Sequence, residues 1–221
     1  MERAAAESVP GKGESVVPAK GKREQILDAA AREFQEQGFA GTSMDAVACR
    51  AQVFKRTVYN HFESKEALFR AILQVMAEQV GSALSIRYRP GEPVETQLRA
   101  LGWAEGSLLI NPCFFRNARM SICEALRDPA LAAEMHCKFQ QMTVFEDFMA
   151  AAHAGGALKA PDPALAAQQF LGLIKARGFW PSIFSGEPVS GAEMERIVED
   201  AVAMFLNTYR ADKKGRTERR G

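Results

Sequence analysis

The chain has 221 residues, 47% of them apolar and 25% charged, with a formal net charge of +1. That composition suits one or two domains with a true core and excludes collagen-like and membrane-spanning classes. A charge so near zero also excludes a nucleic-acid binder held by bulk charge, so any DNA affinity has to come from local placement of basic groups.

Residues 1–20 are rich in Gly, Pro, Ser and Ala and almost lack bulky apolar side chains, which predicts a disordered arm. Lys12, Lys20, Lys22 and Arg23 suit either a solvated tail or a basic arm that follows the minor groove. From Lys22 the pattern turns helical, with Ile26, Leu27, Ala30 and Phe34 on one face. Gly38 is expected to end that helix as a left-handed cap, with Phe39 just beyond it.

The next helix starts behind Thr42 and Ser43, either of which can cap it, and Thr42 with Asp45 has capping-box spacing. It carries Met44, Val47 and Ala51 at helical spacing. Gln52, Val53 and Phe54 break the pattern. A short helix follows from about Lys55 to Phe62, burying Val58 and Phe62 one turn apart. Its opposite face presents Arg56, Thr57 and Asn60, flanked by Lys55, Tyr59 and His61. Arg and Asn make paired hydrogen bonds to base edges in the major groove, while Lys, Thr, Tyr and protonated His reach phosphates on either side. This is the arrangement of a helix-turn-helix with its reading helix at Lys55 to Phe62.

Ser64 caps a long helix predicted to continue through Leu68, Phe69, Ile72, Leu73, Met76, Val80 and Leu84 until Arg89, Pro90 and Gly91 stop it. Further helices are predicted at about Val94 to Ile110, Cys113 to Leu126, Pro129 to Ala154, Pro163 to Phe179 and Gly191 to Tyr209. No strand alternation interrupts them. Residues 211–221 read as a basic tail.

Cys49, Cys113, Cys123 and Cys137 stand far apart, with no Cys-x-x-Cys pair and no histidine at metal-ligand spacing. They read as buried small side chains in a reducing cytoplasm, with a redox-sensing thiol as the alternative. His136 and His153 have no Glu-x-x-His or His-Glu-x-x-His partner, so nothing points to catalysis, a metal or a cofactor. No run near the start has the apolar core of a signal peptide.

The run from Arg23 to Leu68 resembles the amino-terminal DNA-binding domain of the TetR family of bacterial transcriptional regulators. The Gly38-Phe39 turn, the Thr42-Ser43 cap, the run Thr57-Val58-Tyr59-Asn60-His61-Phe62 and the run from Ser64 to Leu68 carry the likeness. It departs from the family at Gln52, Val53 and Phe54, where Gly-Val-Ser is common. Phe54 cannot cap the reading helix as Ser would.

The resemblance implies an all-α fold: a three-helix DNA-binding domain at 21–70, joined by a long fourth helix to a helical effector-binding and dimerisation domain at 71–210. It implies a homodimer on a two-fold symmetric operator, with Thr42, Ser43, Lys55, Arg56, Thr57, Tyr59, Asn60, His61 and Lys65 as the DNA-binding set. The helix start at Ser64 and Lys65 would meet the phosphate backbone.

It also implies an apolar cavity for a small apolar or aromatic effector. Trp103, Phe114, Phe115, Met120, Phe139, Met142, Phe145, Phe179 and Trp180 are candidate walls, although such residues at helical spacing equally suit plain core. Arg119 is a candidate polar contact, as are Asn111, Arg116, Asn117 and His136. Stripes at Leu165, Gln169, Leu173 and Ala176 and at Ile197, Ala201, Met204, Phe205 and Thr208 would pair the subunits. The expected function is a cytoplasmic repressor released from its operator by the effector. A DNA-organising protein of the same fold without an inducer, and an all-helical enzyme, are the alternatives.

Overall fold

The computed structural model describes residues 21–140 and 143–211, with residues 139 and 140 described through their backbone alone. The predicted arm, the tail beyond residue 211, Met142 and the Phe139 side chain lie outside that range. Among the described residues the chain forms eleven α-helices and no strand beyond one isolated bridge, between Leu158 and Arg210.

Helix α1 (Lys22–Gly41) is broken at Gly38, which takes φ +72°, ψ 166°, a conformation that glycine adopts at no steric cost. The break folds the Phe39 ring back to within 5.4 Å of Phe34 and 5.3 Å of Phe69, closing the corner between the first and fourth helices. Ser43 caps α2 (Met44–Arg50), its hydroxyl accepting from the Ala46 N–H at 3.1 Å. The capping box expected at Thr42 does not form. Thr42 is buried, and its hydroxyl donates to the Gly38 carbonyl at 2.8 Å, securing the break in α1 instead.

The turn into α3 (Lys55–His61) places Gln52 at φ +52°, where glycine would be at ease, and α3 starts at Phe54 with no side-chain cap. Ile26, Phe34, Val47 and Val58 are buried at the centre of this three-helix unit. Arg50 ties α2 to α1 through Glu33 at 2.5 Å and through Glu36.

Helix α4 (Lys65–Ala83) begins at Ser64, as expected, but stops at Leu84 rather than Arg89. The side chain of Gln97 holds the following segment as a loop: it accepts the Arg89 N–H and donates to the Arg89 and Glu92 carbonyls. Tyr88 there packs edge-on against Phe148 at 5.7 Å. Helices α5 (Val94–Leu109) and α6 (Pro112–Ala125) match their predicted spans. The predicted run from Pro129 to Ala154 is instead two helices, α7 (Pro129–Gln140) and α8 (Val144–Ala154). After α9 (Pro163–Gly178) comes an unanticipated helix, α10 (Trp180–Ser185). Pro181 lies in its first turn, where a missing N–H costs nothing. Helix α11 (Gly191–Tyr209) closes the fold.

Phe145, Phe170 and Phe205 stack through the core of the second unit. Helices α5, α9 and α11 meet there at very close range. A Cβ at Gly106 or Gly178 would stand 2.8 Å or 2.7 Å from the Met194 side chain. The cysteines depart from the expected burial, since all four are exposed, and none forms a disulfide. Cys49 and Cys113 each sit one residue, roughly 100° of helix rotation, from the buried Ala48 and Phe114.

Candidate nucleic-acid interface and apolar cavity

Val58 pins α3 to the core, which turns Lys55, Arg56, Tyr59, Asn60 and His61 to solvent and leaves Thr57 half-buried. Lys55 stands 2.7 Å from Asp45 and 5.9 Å from the centre of the Tyr59 ring. The hydrogen bond from its ammonium to Asp45 holds Lys55 above the ordinary lysine pKa. This pair bridges the first turns of α2 and α3, so exposed Ser43 at the head of α2 joins the same face. The Arg23 guanidinium lies 5.4 Å over the Phe62 ring, and the Gln25 amide donates to the Ala51 carbonyl at 2.8 Å. Together these contacts fix the angle of α3 against α1.

Two of the expected DNA contacts are engaged within the fold. Thr42 is buried and its hydroxyl is already engaged. The Lys65 ammonium donates to the Phe39 carbonyl at 2.7 Å and the Ala40 carbonyl at 3.3 Å, and lies 4.5 Å from the Phe39 ring centre. It therefore closes the end of α1. Its partners are 25 and 26 residues away, which no local pattern signals. Phe54, which the sequence marks only as a missing cap, has a ring that is 87% exposed beside Lys55 and Arg56.

A cavity of about 320 Å³ opens among α4, α5, α6, α7, α9 and α10. Its wall includes Leu73, Met76, Leu109, Phe114, Ile122, Met135, Phe179 and Trp180, with Lys138 and Lys175 as its charged members among the described residues. Lys175 is paired with Glu105 at 3.0 Å, and Lys138 donates to Gln74 at 3.3 Å. Of the expected effector set, Phe114, Phe179 and Trp180 line this cavity.

The other described members lie elsewhere. Phe115 and Phe145 are buried in the core, and Trp103 packs half-buried against it. Met120 and Arg119 line a groove between α6 and α1, where the Arg119 guanidinium donates to the Ile183 carbonyl at 3.0 Å. Helical rotation explains the split, because one residue along α6 moves a side chain from the cavity wall to another face. Asn111 caps α6 through the Cys113 and Phe114 N–H groups, Asn117 bonds to Gln35, and His136 is exposed.

A second groove runs between α9 and α11, lined by Gln169, Leu173, Ala176, Ile197, Ala201, Met204 and Thr208. Leu165 and Met204 remain 45% and 57% exposed. Among the described residues no cluster of three or more His, Cys, Asp or Glu is placed to hold a metal, and no helix is long and apolar enough to cross a membrane.

Comparison with known proteins matches residues 26–72 to the family described as bacterial regulatory proteins, tetR family. Residues 96–211 match the family described as AefR-like transcriptional repressor, C-terminal domain. The crystal structure of a TetR family transcriptional regulator from Pseudomonas syringae pv. tomato str. DC3000 is 37% identical, with a TM-score of 0.74 over 86% of this chain and 96% of that one. The flavonoid-responsive regulator FrrA is 28% identical, with a TM-score of 0.63 over 86% of this chain and 97% of its own. The HTH-type transcriptional regulator UidR of Escherichia coli (strain K12) is 34% identical over 127 residues, 56% of this chain. The match spans 61% of UidR, about three-fifths of that relative's length.

Proposed function

The chain belongs to the TetR family of bacterial transcriptional regulators and is a DNA-binding regulator rather than an enzyme; from that premise we propose that it is a cytoplasmic repressor released from a palindromic operator by a small apolar or aromatic effector. The observation that carries this reading is the division of labour along the chain. An exposed face of Arg56, Asn60, Tyr59 and His61 crowns residues 21–70, while residues 71–210 enclose an apolar cavity. The repressor description of the family matched by residues 96–211 supports the direction of control. The aromatic walls Phe114, Phe179 and Trp180, together with the likeness to a flavonoid-responsive protein, support an aromatic effector. The groove between α9 and α11, with Met204 exposed in it, supports a homodimer joined along these helices.

In this reading Arg56 and Asn60 touch base edges, and Ser43, Lys55, Thr57, Tyr59 and His61 touch the backbone. The test is a selection of operator duplexes by the full chain, followed by titration of the Arg56→Ala variant. The variant is expected to lose about 1–3 kcal/mol of discrimination between operator and altered operator. Full discrimination by Arg56→Ala would move the reading head elsewhere on the molecule.

A further inference from the structure

Phe54 is the most exposed large apolar side chain among the described residues, at 87%. Its backbone is nevertheless fixed on both sides. The Val53 N–H donates to the Ala48 carbonyl at 3.0 Å, and the Phe54 carbonyl accepts the Thr57 and Val58 N–H groups at 2.8 Å and 3.4 Å. The ring therefore stands on a rigid turn at the head of α3, immediately before Lys55 and Arg56. It buries little surface within its own subunit and supplies no cap, so folding gives little account of it.

We propose that Phe54 is a specificity-determining residue that reads thymine, its ring packing on the 5-methyl group of a thymine in the major groove. This rests on the DNA-binding reading above. Residues at the start of a reading helix are the ones that meet base edges. A phenyl ring offers neither donor nor acceptor to the polar atoms there, and phosphate oxygens would leave it poorly solvated. Among the base edges of the major groove, the thymine methyl is the one apolar group. Lys55 and Arg56 next to it supply the positive charge that brings the duplex within reach. The exposed ring thus has one complementary partner on the surface its neighbours face.

The experiment uses the full chain and a duplex that it selects from a random pool. Each thymine of that duplex is replaced singly by deoxyuridine, which removes only the methyl group. For the unaltered protein, one replacement in each half-site is expected to weaken binding about fourfold, the fold-change equivalent to one buried methyl-sized group at about 0.8 kcal/mol. Phe54→Ser, which restores a capping side chain and keeps the helix start intact, should bind the thymine and deoxyuridine duplexes alike. The proposal is overturned if no thymine responds in the unaltered protein, including the case where Phe54→Ser still weakens binding because the ring lies on a sugar. It is overturned equally if Phe54→Ser keeps the full deoxyuridine response. Selection of no duplex at all would overturn the DNA-binding reading first and this inference with it, an outcome visible before any thymine is changed.

Discussion

The Gln35 side-chain amide donates to Asn117 Oδ1 at 2.7 Å, joining α1 to α6 across 82 positions of sequence. Gln35 also accepts from the Arg116 guanidinium at 3.1 Å. One face of α6 thus bonds to the DNA-reading unit, while Phe114, Ala118 and Ile122 on the same helix line the cavity. Helix α4 makes a parallel link, with Leu73 and Met76 in the cavity wall and its first turn beside α1. It does so even though it stops short of Arg89.

This joint predicts how an effector would change DNA affinity. Replacing Gln35 and Asn117 together by Leu is expected to leave ligand binding in the cavity intact and to flatten the effect of ligand on DNA binding. Both must change, because losing Gln35 alone takes this partner from the buried Asn117 amide at a cost of about 1–3 kcal/mol. Calorimetric titration of a ligand that raises the melting temperature, into free protein and into the operator complex, measures the coupling of about 1–3 kcal/mol expected for the unaltered chain. Unchanged coupling in the double variant would assign transmission to α4 alone.

Lys65→Met tests what this side chain does at the start of α4. It removes two bonds from an ammonium to carbonyls at the end of α1, so the three-helix unit should lose about 1 kcal/mol of stability. DNA binding should weaken without a change in the slope of affinity against salt. A slope shallower by about one phosphate would instead mean that Lys65 leaves these carbonyls when DNA arrives.

Asp45→Asn releases Lys55 from its partner. Affinity for all duplexes should rise in filter or fluorescence titrations, because Lys55 then meets the backbone with no carboxylate competing for it. The sign of the pH effect follows from the raised Lys55 value. A group with a raised folded pKa contributes fully below its unfolded value and loses that contribution as pH rises through the folded one. The pair is therefore complete across roughly pH 6 to 8, and the effect of Asp45→Asn should be constant over that range.

Met204→Glu places a charge in the groove between α9 and α11, at a side chain that is more than half exposed and so has little part in the subunit's own core. Light scattering at micromolar concentration should show monomers, with operator affinity reduced and the melting of each subunit little changed. Dimers that persist would place the interface on another face.

Elements with clean periodicity were legible in the sequence, because apolar side chains recur at helical spacing and the stop signals lie outside the elements. The spans of α5 and α11 show this. The division between α7 and α8 was not legible, since no Pro or Gly marks it. Helix α10 was hidden for the opposite reason: Pro181 reads as a breaker, yet it occupies a first turn that needs no N–H. At the interface, the exposed face of α3 followed from rotation about Val58, whereas the engagement of Thr42 and Lys65 depends on the break at Gly38 and on carbonyls brought close by the fold. The cavity wall was legible only in part, because Phe114 and Phe115 are equally apolar and only packing decides which one faces the void.

Met194, wedged over Gly106 and Gly178, makes one corner of the second unit a stator. Helices α5, α9 and α11 have no slack at that corner, so a guest in the cavity would lie between this fixed corner, which carries Leu109, and the helices α4 and α6, which carry Leu73 and Phe114. Helices α4 and α6 are the ones that reach α1. In a dimer joined along α9 and α11, the shared axle would then stay still while the two reading units swing about it, and work done by the guest would go into their separation rather than into loosening the pair.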